Sequence, residues 1–270
     1  MQDKPKFQRE NQEFPENWPI NTYIRESLLH RSIRRFEPRP VEEEVISMLQ
    51  EVASRASTST GMQQASWIRI TDRDLAREIA QVCKQEYVAS MPELWIFIVD
   101  LYRNYHIGES HGFAMPEITS MNRFFSGYRD AIVMAQAVLS AVESMHMGGV
   151  FLGSVSNEPL EIVKLLNLPK LTFPVLGLGF GYVGQDPQLK PRIPVALKSF
   201  ENQYHIPEDY LETFRAYDQE MTEYYDLRDE NKREDSFTLQ IMKKYGQLNI
   251  PRAKVLEDVE AQGFQLFVEE

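Results

Sequence analysis

The 270-residue chain holds one cysteine, Cys83, and five histidines. A single thiol excludes an internal disulfide and any cysteine cage for a metal, and it suits a reducing cytoplasm. Long apolar runs are missing too. The longest candidate, Ala131 to Gly153, is broken by Gln136, Glu143 and His146, so it reads as a buried helix and a strand rather than a membrane span. Positive charge is scarce: 29 Lys and Arg against 40 Asp and Glu leave a formal net charge of -11. A surface so acidic repels a phosphate backbone, which argues against a nucleic-acid partner. There is no Walker sequence, no zinc motif, no nucleophile–base pair and no paired-carboxylate motif. Residues 1–20 are polar and acidic with prolines at 5, 15 and 19. They read as an arm, disordered or laid across another surface, and not as a signal peptide.

Against that scarcity of cations, His30-Arg31-Ser32-Ile33-Arg34-Arg35-Phe36 concentrates three arginines and a histidine. Like charges gathered together need solvent or an anion to compensate them. The stretch is a solvated basic turn, or it is an anion site for a phosphate-bearing cofactor. Leu189-Lys190-Pro191-Arg192 is a second basic spot, a surface turn or a phosphate contact. Between them lies the hydroxyl-rich loop Ser57-Thr58-Ser59-Thr60-Gly61-Met62-Gln63, either simply flexible or able to bond a polar ligand edge.

Apolar periodicity predicts helices over Val41–Ala53, Asp74–Val82, Asn122–Met147 and about 157–166, and strands over Trp67–Ile70, Leu94–Val99, 148–154 and Phe173–Gly181. The helix at 122–147 is apolar almost all round, so it is enclosed within the domain or at a subunit interface. Glycine at 148 is expected to supply its left-handed cap. Alternating Gly177 and Gly179 leave one strand face bare, as if a flat molecule or another backbone lies there. Leu101–Met121 shows little pattern and reads as a lid, a binding loop or an excursion onto a partner. Its His106 and His111 lack a third ligand in suitable spacing, which disfavours a metal. Tyr210, Phe214, Tyr217, Met221 and Tyr224 form an aromatic stripe at helical spacing, expected to be packing. Organisation is expected as an arm (1–20), a core (21–200) and a helical C-terminal extension of the same domain (201–270).

Taken in order, His30-Arg-Ser-Ile-Arg, Ser57-Thr-Ser-Thr-x-x-Gln63, Gly148-Gly-Val-Phe-Leu-Gly153, Leu189-Lys-Pro-Arg192 and Asn231-Lys-Arg233 resemble the FMN-dependent nitroreductase family. The match is closest to its NADPH-preferring, oxygen-insensitive group. The resemblance implies an α+β fold, with a central mixed sheet wrapped by helices, in an intertwined cytoplasmic homodimer with FMN at its interface. It implies that His30, Arg31, Ser32, Lys190 and Arg192 hold the ribityl-phosphate side, and that Arg34 lies near the pyrimidine edge as a flavin-tuning cation. Thr58, Ser59, Gln63, Gln85 and Tyr87 map around the cofactor, with Phe151, Leu152, Gly153 and Ser154 by its reactive nitrogen. Arg228 and Arg233 match positions for the extra phosphate of NADPH, with NADH also possible. Ser154 replaces the second glycine of a usual pair, and Gly61 a bulkier residue. The implied activity is ping-pong hydride transfer through FMN to nitroaromatics, quinones or free flavin, with no membrane partner. A flavin-binding sensor or carrier without efficient NAD(P)H turnover is the alternative, and a flavin-free dimeric scaffold a third.

Overall fold

A four-stranded sheet carries the fold. The computed structural model describes residues 7–228 and 236–267, with the backbone alone for 225–228. Strands β1 (Ala65–Arg69), β2 (Glu93–Asp100), β3 (Gly148–Leu152) and β4 (Thr172–Gly181) lie in the order β1-β2-β4-β3. Helices α1 (Thr22–Leu28) and α2 (Glu43–Ser54) precede the sheet in sequence. Helix α3 (Arg73–Cys83) links β1 to β2; α4 (Tyr102–Ser110) and α5 (Met121–Ser144) link β2 to β3; α6 (Pro159–Leu165) links β3 to β4.

The three strand pairings are antiparallel among the described residues, and an isolated bridge between Ser120 and Gln265 is parallel. Between β1 and β2 the connection makes an outward and a return pass. After α3, Lys84 adopts a left-handed conformation (φ 53°), and the chain turns back through a 3-10 segment at Glu86–Ser90. That even number of passes delivers β2 opposite to β1, whereas β2 and β3, both antiparallel to β4, run the same way.

β2 is buried on both faces, as its continuous apolar run Leu94–Val99 requires. Trp95, Phe97 and Val99 join the core under α2 and α5. Leu94, Ile96 and Ile98 join a second core with Ile79 of α3 and Ile162 of α6. A register shift opposite Phe97 and Ile98 leaves Val175 of β4 as an extra residue. That bulge accommodates Pro174, which has no N–H to give the ladder.

Two glycine expectations need correction. The left-handed residue that ends α5 is His146 (φ 59°). Gly148 instead makes room for a neighbour, because a Cβ there would come within 2.4 Å of Ile33 Cγ1. Nor is the glycine face of β4 bare. A Cβ on Gly179 would meet Met91 Sδ at 1.9 Å, and one on Gly177 would meet Leu152 Cβ at 3.0 Å. The chain's own side chains fill that face, leaving no place for a flat ligand.

The stretch 101–121 is more regular than its sequence suggests, since it contains α4. No residue of α4 is fully buried, so it carries no apolar stripe to read. Side-chain bonds from Arg103 and Asn104 to the 62–63 carbonyls hold it instead.

By contact density the chain divides into two units, Ile20–Asp186 with Ile250–Glu270, and Met1–Pro19 with Pro187–Asn249. The sheet and α1–α6 belong to the first, together with two short helices, numbered α9 (Ile250–Ala253) and α10 (Val255–Ala261) after the two of the second unit. That second unit contains α7 (Tyr210–Arg228) and α8 (Phe237–Tyr245). Within it Tyr217, Met221 and Tyr224 are buried, whereas Tyr210 at the start of the aromatic stripe is exposed. Phe7 of the arm is buried edge-on against Tyr224 at 5.5 Å, and its carbonyl accepts from Leu189 N.

Candidate functional site

The basic stretch lies along the free edge of β3. Ile33 N donates to Gly149 O at 3.0 Å, Gly184 N donates to Arg35 O, and Phe36 bridges to Val183. Ile33, 2% exposed, is the anchor pointing into the core. With the backbone pinned there, Arg34 and Arg35 are turned outward and exposed. His30 Nδ1 sits 2.5 Å from Glu143 Oε1 of α5, and Arg31 pairs with Asp186. Ser32 is half-buried.

At the end of β3 the chain leaves space. A Cβ added to Gly153 would meet nothing within 4 Å. Around that opening Ser154 Oγ donates to Gln85 Oε1 at 2.7 Å. Arg252 donates to Gly153 O at 3.2 Å and to Asn157 Oδ1 at 2.7 Å. Tyr87 is half-buried, packed against the α3–α6 core, while Leu152 is buried and Phe151 half-buried. Below them Cys83 is buried. Burial pushes its thiol up, against the opposing pull of the Ser154 hydroxyl and the Arg252 charge. An open glycine at a strand end, backbone groups beside it, and a cation at its carbonyl suit a flat molecule bearing negative charge.

Sequence reading missed Arg252. It lies about a hundred residues from the groups it touches, and its only local signal is a proline immediately before it at the start of α9.

The hydroxyl loop sits elsewhere. Buried Asp130 of α5 (2% exposed) accepts from Ser59 N at 2.7 Å and from Gln64 N at 3.2 Å, fixing both ends of the turn. Thr60, Gly61 and Gln63 all have positive φ. Glycine is natural at 61 for that reason, and Thr60 is held in a conformation a β-branched residue seldom adopts. The loop enters β1, whereas the basic stretch borders β3. In the row Ile68–Ile96–Gly177–Leu152 those strands stand three spacings apart, about 14 Å. A single chain therefore holds His30, Arg31, Ser32 and Arg34 by the start of β3 and Gln85 with Gly153–Ser154 at its far end, and keeps Thr58, Ser59 and Gln63 at the opposite edge of the sheet.

Lys190 and Arg192 are exposed residues of the second unit, where the carbonyl of Pro191 between them accepts from the Tyr217 hydroxyl at 3.2 Å. The side chain of Arg228 and the whole of Arg233 lie outside the described residues. Among the described residues, no group of three metal-ligating side chains occurs and no helix is long and apolar enough to cross a membrane. His106 is 2.8 Å from Glu109 and packs edge-on against Tyr102.

Comparison with known proteins agrees with this architecture. The model of the nitroreductase family matches residues 29–182, and that of the nitroreductase family C-terminal domain matches 190–267. The chain is 34% identical over 236 residues to an oxygen-insensitive NADPH nitroreductase of Salmonella typhimurium, covering 87% of this chain and 95% of that one. It is 33% identical to an NADPH-flavin oxidoreductase of Vibrio harveyi, covering 83% and 91%. Among solved structures, the NfrA1 nitroreductase of B. subtilis superposes with a TM-score of 0.85 at 32% identity, over 90% of this chain and 99% of that one. The NADPH:FMN oxidoreductase of Vibrio harveyi complexed with NAD+ gives 0.79 at 30%, with the same coverage. Sheet order, the basic stretch on the β3 edge and similarity along nearly the whole chain agree: the protein belongs to the nitroreductase family.

Proposed function

We propose that the protein is an FMN-dependent NAD(P)H oxidoreductase, favouring NADPH, that passes electrons by a ping-pong cycle to nitroaromatics, quinones or free flavin. The observation that carries this reading is that one strand, β3, is bordered by the cationic stretch at its start and ends in an open glycine, Gly153, with Arg252 beside it. Its donor set fits FMN: guanidinium and imidazole groups for a phosphate, and an uncrowded backbone for a flat ring. Bound FMN supplies the hydride acceptor and donor that no side chain here can be.

The residues then have separable tasks. His30, Arg31 and Ser32 bind the ribityl-phosphate side, and the Glu143 contact fixes the position of the His30 ring. Arg34 places a fixed positive charge where the reduced cofactor is most negative, which favours reduction. Ser154 and Gln85, bonded to each other, and the backbone at Phe151, Leu152 and Gly153 orient the ring; Tyr87 packs beside them. Lys190 and Arg192 are proposed, on the resemblance, as further phosphate cations. Arg228 and Arg233 are proposed for the extra phosphate of NADPH. Replacing both raises the KM for NADPH far more than that for NADH; an equal rise removes the assignment.

A homodimer fits two features. Phe125, Ile132 and Val133 form an exposed apolar stripe on α5, whose other faces are buried. A second copy also offers a way for Thr58, Ser59 and Gln63 to reach a cofactor on the far edge of the sheet. With its one thiol buried and reduced, the chain is suited to the cytoplasm.

The decisive experiment is the visible spectrum of the purified protein before and after anaerobic NADPH. A flavin spectrum that bleaches promptly supports the reductase. Flavin colour without bleaching favours a sensor or carrier. A colourless protein that takes up no added FMN overturns the proposal.

A further inference from the structure

The basic turn around Lys190 has no secondary structure of its own, since residues 187–194 belong to no helix or strand. A segment of that kind keeps one conformation only where its backbone groups find partners elsewhere. Two of them do, one on either side of Lys190. Leu189 N donates to Phe7 O at 2.7 Å, and Pro191 O accepts from the Tyr217 hydroxyl at 3.2 Å. The second partner comes from α7. The first comes from the N-terminal arm, ahead of the region that the family model matches.

Both partners are themselves held. Phe7 is 4% exposed, and its ring meets the Tyr224 ring edge-on at 5.5 Å. Its side chain is thus fixed on α7 while its carbonyl holds the turn. Tyr217, Met221 and Tyr224 recur at i, i+4 and i+7 and are all buried, so Phe7 and the 189–191 backbone are tied to one stripe of the helix. Helix α8 braces that stripe from its own side. Phe237 lies 5.3 Å from the Tyr217 ring, and Thr238 N donates to Asp218 Oδ1 at 3.0 Å. Phe7 joins neither of the cores that flank the sheet, so its burial serves the turn and α7 alone.

We propose that Phe7 is a positioning residue for the cofactor phosphate: through the Leu189 bond it holds the 189–192 turn in one conformation, so that Lys190 and Arg192 bind the anion without first being ordered. The proposal rests on the reading above, in which these two cations take the phosphate of FMN. A loop ordered beforehand loses less freedom on binding. The clamp therefore raises affinity for the phosphorylated flavin and does nothing for the ring.

Two measurements on the full-length chain, stripped of flavin, test this. Hydrogen exchange of the peptide spanning 187–193, read by mass spectrometry, reports the clamp itself. The ratio of the riboflavin Kd to the FMN Kd, read by fluorescence titration, reports the phosphate alone. Phe7→Ala is expected to speed exchange of that peptide about tenfold or more. It is expected to weaken FMN about three- to tenfold and to leave riboflavin unchanged. Lys190→Ala is the reference, and lowers the ratio directly. Unchanged exchange in Phe7→Ala overturns the proposal. Equal weakening of FMN and riboflavin overturns it too, because the role is then merely structural. Faster exchange with an unchanged ratio, where Lys190→Ala does lower it, overturns the proposal and leaves the cation assignment standing. An unchanged ratio in Lys190→Ala, or no uptake of either flavin, removes that assignment and the proposal with it. If Phe7→Ala does not fold, Phe7→Leu decides, since it keeps an apolar side chain and loses only the edge-on ring.

Discussion

The two edges of the sheet are built on opposite principles. Along β3 the chain places charge: the stretch from His30 to Arg35 by its start, and Arg252 at its end beside a glycine that nothing crowds. Beside β1 it places apolar side chains, among them Met62, Ile107 and Met115, with the arginines paired, Arg103 to Asp100 and Arg123 to Glu117. The first edge is suited to an anion with a flat ring, while the second carries no cluster of one sign. One core supports both, since α5 gives Glu143 to His30 and Asp130 to the hydroxyl loop.

The β1 edge breaks most readily at Asp130. Its carboxylate is buried and accepts from two backbone N–H groups, so Asp130→Ala leaves both donors unanswered. Destabilisation of about 2–4 kcal/mol is expected, read by urea unfolding. A loss below 0.5 kcal/mol would show that the loop is held by something else. At the β3 edge, Arg34→Gln is expected to slow anaerobic flavin reduction by tenfold to a hundredfold while FMN affinity shifts much less. Equal losses would make Arg34 a retention contact and not a tuning one.

Smaller effects sharpen the contrast between filled and open glycines. Gly179→Ala forces Met91 to move and should destabilise by about 1–3 kcal/mol. Gly153→Ala enters empty space, so its stability change should stay within about 0.5 kcal/mol while the flavin spectrum or affinity changes. Similar stability losses in the two would erase the distinction.

The gentlest test is acid. Arg69 donates to both Glu43 and Glu93, and its bond holds the Glu43 carboxyl below the usual 4.5. A carboxylate whose acidity is strengthened by folding stabilises above its unfolded value, and that contribution fades as pH falls through the lower folded one. Tm should therefore decline from about pH 5 downward, and Arg69→Met should flatten that decline. Parallel curves for the two proteins would assign the acid limb to other groups.

Sequence alone showed much of this. The runs 94–99 and 173–181 could only be buried strands, and the helix at 121–144 announced itself by pattern. A cationic heptad in an acidic chain marked the β3 edge, because unlike charge density is visible without a fold. Strand direction was not visible, since an outward and return pass through short helices has the same composition as a single crossover. Nor was α4, which is held by side-chain bonds to carbonyls and not by a buried stripe.

What the sequence determined by itself, then, is which segments are buried, where cations gather and which family the order of motifs resembles. These depend on residue type and spacing along the chain. Only the tertiary structure decided which glycines are filled by Met91 and Leu152 and which stands open, that Arg252 returns across some hundred residues to Gly153, and that the hydroxyl loop and basic stretch occupy opposite edges. Those are facts of mutual distance, and local composition carries no information about the distance between residues that meet only when the sheet has closed its core.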